Sequence, residues 1–244
     1  MDSPPHAGMP PAHRRPSQPG LVVAIDGPSG SGKSSVSRAV AKALDAAYLD
    51  TGAMYRALTW WCLHEGVDLT DQQAVARLAP QAPIEVGMDA ERPTIAAGGV
   101  DLTHEVRSTR VTDAVSAVAT NLAVRADMRR RQRALIASGV ARCGAVVAEG
   151  RDITTVVAPD APVRILLTAS QSARLSRRAQ QDLGTDDDAA VAATRDRVVA
   201  RDAQDSTVSQ FTTAADGVVT IDSSEMDFDE TVAAVLQVIG GRSA

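Results

Sequence analysis

The stretch L-V-V-A-I-D-G-P-S-G-S-G-K-S-S-V-S-R-A-V-A-K-A-L, residues 21–44, decides how this chain folds. It opens on a continuous apolar run rich in β-branched residues, Leu21 to Ile25, the pattern of a strand buried on both faces. A glycine-rich turn follows, and beyond it Val36, Ala39, Val40, Ala43 and Leu44 recur at helical spacing. Strand, glycine loop and helix therefore come in order. Inside the turn, Gly27, Pro28, Ser29, Gly30, Ser31, Gly32, Lys33 and Ser34 satisfy G-x-x-x-x-G-K-[ST] at every fixed position. Glycines let the backbone curl so that successive N–H groups point inward at phosphate oxygens, and the positive end of the following helix dipole adds to the attraction. The loop reads as a phosphate cradle, with Lys33 neutralising the β- and γ-phosphates of a nucleotide and the Ser34 hydroxyl ligating Mg²⁺. A bare strand-to-helix turn is the competing reading.

Four more buried-strand candidates follow, Ala47 to Leu49, Ala145 to Ala148, Val163 to Leu167 and Val218 to Ile221, separated by segments with helical spacing. Alternation of this kind predicts an α/β fold, a mostly parallel sheet covered by helices on both faces. The interval from Leu49 to Ala145 is too long for a plain crossover connection, which predicts a separate lobe there. Within it, Ala53 to His64 and Ser108 to Ala137 read as helices. Ile84 to Met88 and Thr94 to Leu102 read as a small antiparallel sheet around turns at Asp89-Ala90 and Gly98-Gly99. Later, helices over Ser170 to Gln181 and Ala189 to Ala203 flank the acidic Asp182 to Asp188, a natural hinge or lid tip. A last helix, Phe228 to Ile239, closes the domain. Residues 1–19 carry half of the 12 prolines and almost no large apolar groups, so they read as a disordered tail.

The 244 residues are 44% apolar, enough for one enzyme-sized unit. Lys plus Arg number 25 against 30 Asp plus Glu, a formal charge of -5 that offers no cationic excess for sequence-blind binding to nucleic acid. No run approaches the roughly 18 apolar residues of a membrane-spanning helix, and no secretory signal is evident, so a cytoplasmic protein is expected. Cys62 and Cys143 lack metal-type spacing and read as ordinary packing thiols. Of the cationic residues only Lys33 and Lys42 are lysines. The rest are arginines, whose planar fork suits phosphate. The dense run Arg129 to Arg133 reads as exposed surface, given the net negative charge.

A phosphate loop says nucleotide, not reaction. The N-K-x-D element of a switch GTPase and the L-S-G-G-Q signature of transport ATPases are both absent from the sequence. A small-molecule kinase remains the simplest class.

From Leu21 to about Gly240 the chain resembles the bacterial cytidylate kinase family of nucleoside monophosphate kinases. The match is dense at I-D-G-P-S-G-S-G-K-S (Ile25 to Ser34), L-D-T-G-A-M-Y-R (Leu49 to Arg56), E-G-R-D-I-x-T-V-V-x-P-D-A-P-V (Glu149 to Val163) and R-D-x-x-D-S-T (Arg201 to Thr207). Shikimate and adenylate kinases share the loop but not the second and third motifs. The resemblance implies a P-loop kinase fold, a five-stranded parallel sheet with helices on both faces over a core of residues 20–50 and 144–240. It also implies an inserted monophosphate-binding lobe at 51–143, an enlarged insert at about 79–106 carrying the small antiparallel sheet, and a short helical lid at about 174–195. The activity implied is transfer of the γ-phosphoryl group of ATP to CMP or dCMP, with Mg²⁺, by an enzyme that leans towards a monomer.

Carried over position by position, the resemblance makes Lys33, Arg56, Arg151 and Arg201 the catalytic cations, the three arginines clamping the acceptor phosphate. Two clustered polyanions repel and the transferring group spreads charge over its oxygens, so several fixed cations make chemical sense. ATP would lie on Gly27 to Ser34 and Ser35, under the lid arginines Arg177 and Arg178, with Arg174 beside them. On the acceptor side, Thr51, Arg125 and Asp152 would read the cytosine ring, with Asp152 accepting from the exocyclic amine that uracil lacks. Tyr55 belongs to the same acceptor site, and Ser116 and Asp205 resemble pentose contacts. A helix-interior serine and an N-cap aspartate before Ser206 are the alternatives for these two. Glu149 is either a carboxylate near the Mg²⁺ water shell or a strand-end residue facing solvent.

One segment departs from the family pattern. Members read R-D-x-x-D-[SR]-x-R-x-V-x-P after the lid, whereas this chain has Asp205-Ser-Thr-Val-Ser-Gln210, shorter and without the arginine that helps hold the acceptor base in the family. Arg195 and Arg197 are the neighbours able to replace it. His6 and His13 lie in the tail, and His64 and His104 have no evident partner. No general base is needed, because the acceptor is already an anionic oxygen. Two rivals stay open: a kinase for another monophosphate such as UMP or AMP, and a nucleotide-binding regulator without turnover.

Overall fold

The computed structural model describes residues 20–242, and the expected tail at 1–19 lies outside the described residues. Strand β1 (Leu21–Asp26) leads through the glycine loop into helix α1 (Lys33–Ala43) and strand β2 (Ala47–Asp50). The lobe then runs α2 (Thr51–His64), α3 (Gln72–Leu78), β3 (Ile84–Gly87), β4 (Thr94–Ala97), β5 (Val100–Asp101), α4 (Thr109–Ala119) and α5 (Leu122–Cys143). The chain returns to the sheet as β6 (Ala145–Gly150) and β7 (Val163–Thr168), continues through α6 (Gln171–Leu183) and α7 (Asp188–Ser206), and ends on β8 (Val219–Asp222) and α8 (Phe228–Arg242).

All five core strands are parallel, in the order β2-β6-β1-β7-β8. Successive side chains leave opposite faces of a strand, and both faces here are covered. Val23, Ile25, Val147, Ile165 and Leu167 pack with Val36 and Val40 of α1 and Val235 and Ile239 of α8. Ala24, Leu49, Val146 and Ala148 pack on the other side with Leu58 of α2 and Met128 and Ile136 of α5. The strand order reverses about β1, so the carboxyl ends of β1, β2 and β6 open on one crevice. Those three ends carry the glycine loop, Asp50 and the Gly150-Arg151-Asp152 loop.

The small sheet is antiparallel in the order β3-β4-β5, with Gly98 and Gly99 turning between its last two strands. Several expectations need correction. The single helix expected over Ser108 to Ala137 is two helices, because the Asn121 side chain accepts from the amides of Ala123 (3.0 Å) and Val124 (3.2 Å) and restarts the chain as α5. A capping amide overrides an apolar spacing that continues across the break. The short α3, capped by Asp71, has no counterpart in the sequence reading. Asp205 sits in the last turn of α7 and caps no helix start. Cys62 is buried, as a packing thiol should be, but Cys143 is exposed. His64 does have a partner, stacking on Trp60 at 4.7 Å between ring centroids. The basic run is only partly solvated: Arg131 donates to the carbonyls of Ala79, Pro80 and Ala82, and Arg133 to those of Val156 and Val157.

A single π-helical turn, Ile153–Val157, follows the G-R-D motif. Its start is held by Asp26, which accepts from Ile153 N (2.9 Å), Thr154 N (2.8 Å) and Thr154 Oγ1 (2.6 Å). Burial outweighs these three bonds and raises the Asp26 pKa to about 6. Replacing Asp26 by Ala orphans buried amides and should cost about 3 kcal/mol at pH 7, read by urea unfolding. The folded-state value lies above the unfolded 3.8, so this group's stabilisation is complete below about pH 4 and declines as pH rises through about 6. The gap between wild type and variant should therefore widen on acidification from pH 7 to pH 4. A constant gap would show that Asp26 does not titrate in this range.

Candidate active site

The glycine loop is shaped by what a side chain would strike. Gly30 has φ 78°, and a Cβ there would come within 2.4 Å of the Arg174 carbonyl oxygen. Gly32, at φ 85°, starts α1 with no side chain capping the helix. The first amides of a helix have no intrahelical acceptor, so this end is open to an anion. Ser29, Gly30, Gly32, Lys33, Ser34 and Ser35 line a cleft of roughly 1400 Å³. Gly27, Pro28 and Ser31, expected at the donor as well, are buried and do not line the cleft.

Lys33 Nζ donates to the Pro28 carbonyl at 3.2 Å. Desolvation lowers its pKa to about 8, opposed by Glu149 and helped by the like charges of Arg151 and Arg201. Glu149 does not face solvent. It is 2% exposed and its Oε1 accepts from Ser34 Oγ (2.6 Å) and Tyr48 Oη (3.2 Å). Burial and the neighbouring Asp50 hold its carboxyl above the usual range. For Asp50, burial acts the same way, but Arg56, the Ala53 amide, Arg107 and Lys33 together keep it below the usual range.

Arg56, on α2, reaches Asp50 at 3.1 Å. Arg151, just past β6, pairs with Asp205 and lies 3.4 Å from Asp202. Arg201, on α7, is 3.7 Å from the same Asp205. Its pKa falls to about 10, first through desolvation and then through the repulsion of Arg151 and Arg56. The Nε atoms of Arg56 and Arg201 are buried without a hydrogen-bond partner among the described residues. Lys33 and these three arginines all line the cleft. Four cations so close, with donors to spare, form a site for a polyanion.

Toward the lobe, Arg125 donates to Asp152 at 2.5 Å and to Ser209 Oγ at 2.7 Å. Thr51 Oγ1 donates to the Glu149 carbonyl at 2.7 Å, and Tyr55, also buried, has its phenol pushed up to about 12 mainly by desolvation. Thr51, Tyr55, Arg125, Asp152 and Asp205 line the cleft, whereas Ser116 lines a smaller adjoining pocket and donates to Asp205 at 3.1 Å.

The lid helices separate two neighbours in sequence. Arg178 lines the cleft, tied to Asp182 at 2.9 Å. Arg177, expected beside it over the donor, turns away and donates to Ser223 Oγ, Ser223 O and Met226 O. Successive residues on a helix do not share a face, which corrects that expectation. Arg174 braces the glycine loop through Ser29 O (2.8 Å) and Asp202 (2.6 Å). Arg195 is exposed off the cleft, whereas Arg197 lines it on the lid side, 3.5 Å from Asp182. Ser209, on the turn after α7, accepts from Arg125 at 2.7 Å. The sequence reading gave no role to Tyr48, Asp50, Arg107, Asp202 and Ser209, of which Asp50 and Asp202 carried a local signal, as parts of L-D-T-G-A-M-Y-R and R-D-x-x-D-S-T.

The family model for cytidylate kinase matches residues 23–240. The chain belongs to the cytidylate kinase family. A cytidylate kinase of Streptomyces avermitilis is 42% identical over 227 residues, covering 93% of this chain and 95% of that one. A cytidylate kinase of Rhodococcus jostii is 48% identical over 228 residues, covering 91% and 96%, and one of Mycobacterium avium is 45% identical with the same coverage. The similarity thus extends through the lobe and the lid helices of this cytidylate kinase family member. No helix among the described residues is long and apolar enough to cross a membrane.

Proposed function

We propose that the chain transfers the γ-phosphoryl group of ATP to CMP or dCMP, giving ADP and the nucleoside diphosphate. The convergence of Lys33, Arg56, Arg151 and Arg201 on one cleft, with Arg201 pushed down to about 10 by desolvation and crowding, carries this reading. Charges that disfavour one another in the free protein are relieved by two bound polyanions, and most by a transition state with charge on the transferring group. The glycine loop and Lys33 take the triphosphate; Arg56, Arg151 and Arg201 take the acceptor phosphate. Arg178 closes from the lid, excluding water that would otherwise compete as acceptor. All these groups come from one chain, so a monomer suffices. Neither nucleic acid nor a membrane enters the scheme, which suits a cytoplasmic enzyme.

Mg²⁺ fits the donor set. Ser34 Oγ stands 2.6 Å from the Glu149 carboxylate, and the ionised Asp50 is near, all hard oxygen donors. A nucleotide-borne Mg²⁺ takes most ligands from phosphate and water, so it needs no cage of three protein ligands, and none exists among the described residues. When bound with ATP the ion supplies further neutralisation of phosphate charge.

Selection of cytosine rests on the Asp152 carboxyl paired with Arg125. An acceptor panel of CMP, dCMP, UMP and AMP at fixed ATP, with ADP release coupled to a readout, tests the reading. Fast turnover with CMP or dCMP only is expected; ATP hydrolysis indifferent to CMP would overturn it. Linkage at Lys33 offers a further check. Near pH 8.5 the ammonium is partly deprotonated in the free protein, and bound polyphosphate favours its charged form. ATP binding should then take up a fraction of one proton, vanishing near pH 6.5. Calorimetry in buffers of different ionisation enthalpy reads it, and uptake that persists in Lys33→Met would rule Lys33 out as the source.

A further inference from the structure

Phe211 is 1% exposed and is among the largest fully buried side chains of the chain. It lies in the irregular segment between α7 and β8, and its ring centroid is 4.5 Å from Cζ of Arg151. A buried ring with a guanidinium over its face gains from the cation as well as from apolar packing. The edges of the same guanidinium are engaged by Asp202 and Asp205. A phosphate approaching Arg151 must compete with those carboxylates for N–H groups, whereas the ring uses only the π face and competes for nothing. An arginine side chain has much rotamer freedom to lose when it is fixed, and the ring keeps the plane fixed while the edge partners exchange.

We propose that Phe211 is a positioning residue for phosphoryl transfer, holding the Arg151 guanidinium plane ready for the acceptor phosphate. This rests on the reading of Arg151 as an acceptor-phosphate ligand. The same segment brings Ser209 to Arg125 at 2.7 Å, so the turn after α7 touches two of the acceptor-side arginines, Arg125 and Arg151.

The test is calorimetric titration of the full chain with CMP and with ATP, alongside steady-state kinetics. Phe211→Leu keeps an apolar filling but removes the π face; Phe211→Met serves if the leucine variant does not fold. The expected result is a rise of about tenfold in the Kd and KM for CMP, with the Kd for ATP changed less than about twofold. Phe211→Tyr, which keeps the ring, should bring CMP affinity back to within about threefold of wild type. In an Arg151→Lys background, itself weaker for CMP, adding Phe211→Leu should change the CMP Kd by less than about twofold. Unchanged CMP affinity in Phe211→Leu, equal loss of ATP and CMP, or the full tenfold loss in the Arg151→Lys background would each overturn the positioning role. Unchanged CMP affinity in Arg151→Lys alone would overturn the reading of Arg151 and this inference with it.

Discussion

Lys33→Met lowers kcat by about a thousandfold or more, while the variant stays folded. The ammonium is the one cation on the glycine loop, and its depressed value near 8 records how poorly water solvates it before a nucleotide arrives. Removing a desolvated charge and keeping the aliphatic stem leaves the folded state no worse off, because the cost of burying that charge disappears with it. The Pro28 carbonyl that accepts from Nζ loses only that bond. The loss therefore falls on the transition state, where the group in flight carries charge that no neighbouring residue of the loop can neutralise. Arg151 and Arg201 stand nearby but lie on the acceptor side, off the glycine loop. Rapid-quench measurement of CDP formation checks this against thermal unfolding of the same sample. Activity within tenfold of wild type would sink the phosphoryl-transfer reading and revive a regulator that binds nucleotides without turnover.

The second large effect concerns which base is chosen. Asp152→Asn should reduce the preference for CMP over UMP, as a ratio of kcat/KM values, by about a hundredfold. Asp152 is half-buried, and desolvation raises its pKa even though Arg125 pulls in the other direction at 2.5 Å. A carboxylate there can only accept, so it suits the exocyclic amine of cytosine and opposes the carbonyl of uracil. Asparagine presents an amide that can donate instead, which relieves the clash with uracil and weakens the match to cytosine. Arg125 loses its counter-charge in the variant but keeps Ser209, and that loss is common to both substrates. The ratio cancels it. A ratio unchanged by the substitution would place base reading elsewhere in the cleft.

The glycine loop and the parallel sheet were legible from residues 21–44 and the four later apolar runs, because each is dictated by chain-local chemistry, while the family was legible only from the combination of four motifs. Glycine adopts the left-handed backbone at Gly30 and Gly32 without the steric cost of a Cβ, and a strand covered on both faces reads as a nearly continuous apolar run. Lys33 could be named for the same reason, whereas Arg56 and Arg151 were named through the family motifs in which they stand. Where a side chain goes depends on elements far away in sequence, and here the tertiary structure decided. Arg177 and Arg178 are chemically alike, yet packing of α6 against the segment after β8 turns one to Ser223 and leaves the other on the cleft. Asp26 meets Thr154, Arg125 meets Ser209 and Phe211 meets Arg151 only because the sheet order and the α7 turn bring them together. No local pattern encodes such pairs, since the free energy that selects them is gained by contacts that exist only after the strands have assembled.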